Sequence, residues 1–366
     1  MTERERLLKV LHGETPDRVP YFLDLGHWFR AESGQKWNLF TISNCTKELV
    51  DLHKEVGAGW YVEVGALHEE YYDESVERKR VMDGDDVIET FTTPVGSAVM
   101  KRRWNPVSSS WNITKRMIEN AEDLKVLTYA MEHRHFRPKY ENWAHIEEIG
   151  GDAGLGFPSM PYTGLGAAIS YYGDPETAIY LSYDEPEAFD AFVNAVNGSL
   201  PELMDILAAS PAPHFIFSDN LSSDIQSPGM FRKYSFGTYR MIAERLHAGG
   251  KTVSAHIDGR MNKLLPLMAE AGIDVADACT PAPTGDLTPK EIRAQAGKMV
   301  IMGGISPAMW LPGTPEKEFI AHVREWLDTR KVSPRIVQSA GDQVPPGTKL
   351  QRIKLLREIV EEYGRY

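Results

Sequence analysis

The segment HIDG sets His256 and Asp258 two residues apart, just ahead of Gly259. At strand spacing both side chains leave the same face, and the glycine relaxes the backbone beyond them. A histidine and a carboxylate on one face can bind a divalent metal. They can equally act as an acid/base pair in which Asp258 holds the imidazole tautomer. Residue types alone leave both open, together with a core role for His256 and a helix-capping role for Asp258. Asp277 and Cys279 repeat the spacing in ADAC. A thiolate there would suit zinc, although a buried free cysteine behaves mostly as a small hydrophobe.

Other polar residues stand where apolar runs stop: His27 after YFLDLG, Glu63 in GWYVEV, Asp219 in HFIFSD and Asp342 after RIVQSAG. Carboxylates, imidazoles and a thiol recurring at the ends of strand-like runs point to one shared site. Asp219 has the alternative of capping the next helix. Trp28, Tyr61, Phe157 and Tyr162 lie near the same ends and are candidates to line an apolar substrate pocket, with ordinary packing as the other reading. His133 and His135, in EHRH, read as part of a charged, solvated helical surface.

Several common motifs fail. GGKT at 249–252 has Arg245 where a phosphate loop needs its first glycine, and a strand follows it. GLGAAI at 164–169 lacks the third glycine of a dinucleotide fingerprint, and no GxSxG elbow occurs.

The elements that must position these residues alternate. Short apolar runs begin near 19, 59, 153, 214, 252, 273, 299 and 335, each followed by a helical pattern or a long connection. Eight such units predict a (β/α)₈ TIM barrel, with a doubly wound sheet as the alternative, and active-site residues at the C-terminal strand ends. Helices are expected near 46–56, 229–248, 260–271, 288–296 and 315–329. Residues 66–150 are too long for one loop. Within them, VIETFTTPVGSAVMKRRW reads as a β-hairpin turning at Pro94 to Gly96, which predicts an insertion on the rim of a single domain spanning 1–366.

Composition narrows the function. The 366 residues are 42% hydrophobic and 25% charged, which suits a globular core. A net charge of -12 without a basic stripe argues against nucleic acid. Two cysteines, Cys45 and Cys279, cannot build a disulfide framework, the start MTERERLLKV is not a signal peptide, and no run of ~18 apolar residues appears. A cytoplasmic protein that neither spans nor anchors to a membrane is expected.

In order and spacing, ERLLKVLHGETPDRVP, AEDLKVL, FSDNLSSDIQSPGMFRKY, GKTVSAHIDGRMNKLLPLMAEAGIDVADA and MVIMGGISP resemble segments of the uroporphyrinogen decarboxylase superfamily. True decarboxylases of that superfamily carry an Arg-rich segment after the first strand that grips tetrapyrrole carboxylates. This chain offers only Arg30 there, and Gly341-Asp342 stands in place of a late His-Gly motif. The corrinoid-dependent methyltransferase branch resembles it better. Thiol-methylating members hold zinc through a His-x-Cys pair and a later Cys, which fall here on His256, Asp258 and Asp342. Aspartates in place of both cysteines argue against a thiol acceptor.

The resemblance therefore implies a demethylating member. It would take a methyl group from a small donor such as a methoxylated aromatic and pass it to the Co(I) corrinoid of a partner protein. It implies zinc, or another divalent metal, at His256, Asp258 and Asp342, with Asp277 and Cys279 in reserve and the insertion as docking rim or lid. Alternatives are a decarboxylase, a non-catalytic binding protein, or a methyltransferase using a methylamine, halomethane or methyl thioether. A homo-oligomer is left open.

Overall fold

A computed structural model describes residues 1–39 and 46–366; Cys45 lies outside the described residues. Eight parallel strands follow the expected runs: β1 (Phe22–Leu23), β2 (Gly59–Glu63), β3 (Gly154–Phe157, resumed after Pro158 as Ser159–Met160), β4 (His214–Leu221), β5 (Thr252–Ile257), β6 (Val275–Cys279), β7 (Val300–Gly303) and β8 (Ile336–Gln338). The first half of β3 pairs with β2 and the second with β4. Gln338 bridges in parallel to Tyr21, and its N–H donates to the Pro20 carbonyl at 2.9 Å, so β8 returns to β1. The fold is a (β/α)₈ barrel.

Parallel strands covered on both faces need apolar side chains throughout, which is why these segments read as continuous runs. β6 and β7 are buried at every position, and Trp60, Phe215, Phe217 and Trp326 fill the core. Each such burial stabilises by roughly 1.5–3 kcal/mol. The outer helices follow the 3.6 period: Leu350–Tyr363 buries Ile353, Leu356, Ile359 and Val360 on one face. A single methyl group would break the β2–β3 contact, since a Cβ on Gly154 would stand 2.0 Å from the Trp60 carbonyl oxygen.

Between β2 and β3 the chain builds antiparallel structure. His68–Tyr72 pairs with Arg134–Pro138, and Glu77–Asp83, Asp86–Thr93, Gly96–Asn105 and Ser110–Lys115 form a four-stranded meander that includes the hairpin. Asp86–Thr93 alternates buried and part-buried residues, as a one-sided sheet must. The inner face of the meander, with Phe91 and Met100, packs on helix Ala121–Glu132, which packs in turn on helix Pro186–Gly198 with Phe189 and Phe192, giving a second core separate from that of the barrel.

Three expectations need correction. β1 stops at Leu23 and a helix, Gly26–Ser33, begins at once, so His27 and Trp28 sit on a helix instead of at a strand end. The helix expected over 260–271 is only Leu265–Glu270, because Lys263 takes a left-handed φ of 64° that a helix does not admit. His135 lies on the strand Arg134–Pro138, not on a helix. No helix among the described residues is long and apolar enough to cross a membrane.

Candidate active site at the barrel mouth

At the C-terminal ends of the strands a cavity of about 150 Å³ is walled by Asp24, Tyr61, Glu63, His256, Asp277 and Asp342, with Ser218, Asn220, Ser339 and Gln343 adding to its polar surface. His256 is its centre. Strands β5 and β6 pair in register at His256 and Asp277, and imidazole Nδ1 lies 3.1 Å from Asp277 Oδ2. Nε2 faces Asp342 Oδ1 at 3.8 Å, beyond hydrogen-bond reach, and so remains open to the cavity. Burial alone would lower the His256 pKa. The hydrogen bond to Asp277 and the charges of Asp342, Asp277 and Asp258 overcome it and raise the value to about 9. The ring is therefore a cation at neutral pH, with one N–H committed to Asp277 and the other free to donate.

Asp24 is the residue the sequence reading missed. Gly26 N–H donates to its Oδ1 at 2.7 Å and Gln343 Nε2 to its Oδ2 at 3.1 Å. Burial, reinforced by the charges of Asp342 and Glu63, outweighs those donors and lifts its pKa to about 7. Its signal was the only carboxylate in VPYFLDL; a strand read as running to Leu25 hid it inside the apolar run. Tyr61 and Phe157 pack ring to ring at 4.1 Å along the same wall. Burial pushes the Tyr61 hydroxyl well above its ordinary pKa, so it stays neutral.

Five expected residues stand elsewhere. Asp258 follows the end of β5 and is exposed, outside the cavity lining, because strand alternation stops at Ile257 and Gly259 turns the chain at φ 126°. Asp219 is fully buried and receives the Thr163 N–H at 2.9 Å, the Thr163 hydroxyl and the Tyr239 hydroxyl at 2.9 Å. It is a packing anchor, and the cavity sees its neighbours Ser218 and Asn220. Cys279 is buried, its Sγ directed to the Ala276 carbonyl at 3.4 Å, and burial pushes its thiol up to about 12. His27 Nε2 donates to the Ser108 carbonyl at 2.9 Å, and Trp28 Nε1 donates to the Thr348 carbonyl at 2.8 Å; both tie the rim together.

Asp219 and Cys279 leave the cavity for different reasons. Asn220 (φ 50°) and Ala278 (φ 63°) are left-handed inside β4 and β6, where the pairing registers shift; past Ala278 two-residue spacing no longer keeps Cys279 on the face of Asp277, whereas Asp219 lies on the opposite face of β4 from Ile216, Ser218 and Asn220. Asn220 and Ala278 both line the cavity, and non-glycine residues held in this region are strain that clusters at functional sites. Tyr162 lines a larger neighbouring cavity, of about 580 Å³, that shares Glu63 and Ser218 with the mouth.

Zinc fits poorly here. A catalytic zinc takes three protein ligands; of the expected set, Asp342 stands 3.8 Å from the open His256 Nε2, whereas Asp258 and Cys279 lie outside the cavity lining. Among the described residues no three His, Cys, Asp or Glu side chains come together closely enough to hold a metal ion. The arrangement is instead that of a carboxylate-oriented proton donor.

The family profile described as uroporphyrinogen decarboxylase (URO-D) matches residues 109–363. The chain belongs to the uroporphyrinogen decarboxylase family. Among solved structures, this URO-D family chain is similar to a methyltransferase from Methanosarcina mazei at 18% identity and a TM-score of 0.62, covering 99% of each chain. At that identity the likeness establishes the shared fold over the whole length. A chitobiase from Flavobacterium johnsoniae resembles it weakly, with 12% identity and a TM-score of 0.30 over 61% of this chain and 42% of that one. No curated protein sequence matches the chain.

Proposed function

We propose that this URO-D family protein is a methyltransferase that demethylates a small methoxylated aromatic and delivers the methyl group to the Co(I) corrinoid of a partner protein. The observation that carries the reading is His256, a cation held by Asp277 with Nε2 turned to a cavity. An aryl methyl ether is a poor leaving group unless its oxygen gains a proton as the bond to carbon breaks. The corrinoid supplies the electron pair that bonds the methyl carbon. The pair of the broken C–O bond stays on oxygen, which takes the Nε2 proton and leaves as a phenol. Asp277 fixes the ring and stabilises its positive charge before transfer. Tyr61 and Phe157 form the wall beside the methoxy-bearing end of the substrate.

On this reading residues 1–366 act as one barrel domain in the cytoplasm, and the insertion 66–150 is the rim on which the corrinoid protein docks. A decarboxylase is the weaker reading, since the segment after β1 carries only Arg30. The test is to incubate the protein with 3-methoxybenzoate and reduced cobalamin without oxygen. Equal amounts of 3-hydroxybenzoate and methylcobalamin support the reading; carbon dioxide released from a tetrapyrrole acid, with no methyl transfer, contradicts it.

A further inference from the structure

The larger cavity, about 580 Å³, lies between the barrel and the antiparallel insertion and has two unlike walls. One is apolar and aromatic, with Met160, Tyr162, Tyr171 and Tyr172; the Tyr162 and Tyr171 rings stack at 5.3 Å. The other comes from the insertion. Strand alternation sets His68, Glu70 and Tyr72 on one face of the two-stranded sheet, opposite Pro138, Phe136 and Arg134.

Charges on this wall are unevenly matched. Arg78 contacts Glu70 at 2.7 Å and Glu89 at 2.7 Å, and Arg80 contacts Glu89 at 2.8 Å. Arg134 has only neutral partners: its Nε donates to the Ser199 hydroxyl at 3.0 Å and one terminal nitrogen to the Val196 carbonyl at 3.0 Å. It is 4% exposed, and no carboxylate among the described residues lies within ion-pair distance of it. His68 and Arg134 both contact the Phe136 ring, at 5.3 and 5.2 Å. His68 is 9% exposed, and its Nδ1 has no hydrogen-bond partner. Burial lowers its pKa to about 4, so it is a neutral imidazole. Glu70 lies close enough to feel the Arg134 charge but is in contact with Arg78, so on this wall three guanidiniums share two carboxylates, and a planar carboxylate is the group that best matches a buried guanidinium with no ion pair of its own.

We infer that Arg134 and His68 form a subsite for the carboxylate of an aromatic acid, whose ring lies against Tyr162 and Tyr171. The methyl-bearing end then reaches the mouth past Glu63 and Ser218, which line both cavities. The methyl-bearing end rests on the demethylase reading; the acid subsite does not.

Calorimetric titration of the full chain with 3-methoxybenzoate and with its neutral counterpart 3-methoxybenzamide tests the subsite. The acid should bind at least tenfold more tightly. Arg134→Gln should erase that preference, and Arg134→Lys, which keeps the charge, should retain most of it. Equal affinity of acid and amide for the wild type, binding of neither, or a preference that survives Arg134→Gln overturns the inference. If Arg134→Gln does not fold, the wild-type ratio decides alone. A preferred acid that is never demethylated leaves the subsite standing and removes the methyl-transfer reading. Acid and amide demethylated alike, with equal affinities, do the reverse.

Discussion

His256 and Asp277 are register partners on adjacent parallel strands, and the imidazole Nδ1 stands 3.1 Å from the Asp277 carboxylate. Paired backbones fix both Cα positions, so the contact is built into the barrel and does not depend on a loop. Asp277→Asn keeps the shape and removes the charge. It should lower the methyl-transfer rate by on the order of 10²-fold, within the range of general-acid contributions. Asp258→Asn, at an exposed position outside the cavity, should change the rate less than about twofold, near the noise expected of such surface substitutions. Equal losses in the two variants would restore Asp258 to the site.

The His256 pKa, raised to about 9, ties both rate and stability to pH. Its stabilising contribution is complete below the ordinary histidine value of about 6.5 and is lost as pH rises through about 9. The methyl-transfer rate should fall across the same upper limb. Asp342→Asn removes one of the charges that hold the value up, so a pH profile of this variant should turn down earlier than that of the wild type. An unshifted limb would mean that another group donates the proton.

Asp24 makes a separate linkage. Its folded pKa of about 7 lies above the ordinary carboxylate value, so the folded state favours the protonated form. The associated stability is full below about pH 4 and is lost as pH rises through 7. Asp24→Asn cannot ionise. Thermal melts should show little difference from wild type near pH 4 and a higher Tm for the variant near pH 8. A lower Tm for the variant at pH 8 would contradict the assignment.

Much of this was legible in the sequence. Eight apolar runs stand out because buried parallel strands admit little else, and the hairpin at 86–105 stands out because its single buried face forces alternation. His256, Asp277, Asp342, Tyr61, Glu63 and Phe157 do meet at the mouth. Cys279 leaves the face of Asp277 because Ala278 takes a left-handed backbone angle within the strand, which residue type does not announce, and Asp219 falls on the opposite face of β4 from Ser218 and Asn220, a register that the apolar run alone does not fix. Arg134 hid beside two histidines in EHRH, since its significance lies in what it fails to pair with across the insertion.

The metal expected from the sequence gives a direct comparison. With a proton donor at the mouth, protein stripped by a chelator and checked by elemental analysis should keep its methyl-transfer rate within about twofold. Cys279→Ala should also keep it, at a stability loss of roughly 1 kcal/mol for the small void left behind. Activity lost on chelation and restored by zinc would mean that the ligands close around a metal and that the metal activates the ether.

The most direct measurement is the rate of methyl transfer from 3-methoxybenzoate to reduced cobalamin by wild type and by His256→Gln near pH 7, with folding of both checked by thermal melts. The account predicts a loss of about 10²- to 10⁴-fold in the variant at an unchanged substrate Kd. A folded His256→Gln that transfers the methyl group at the wild-type rate would contradict it.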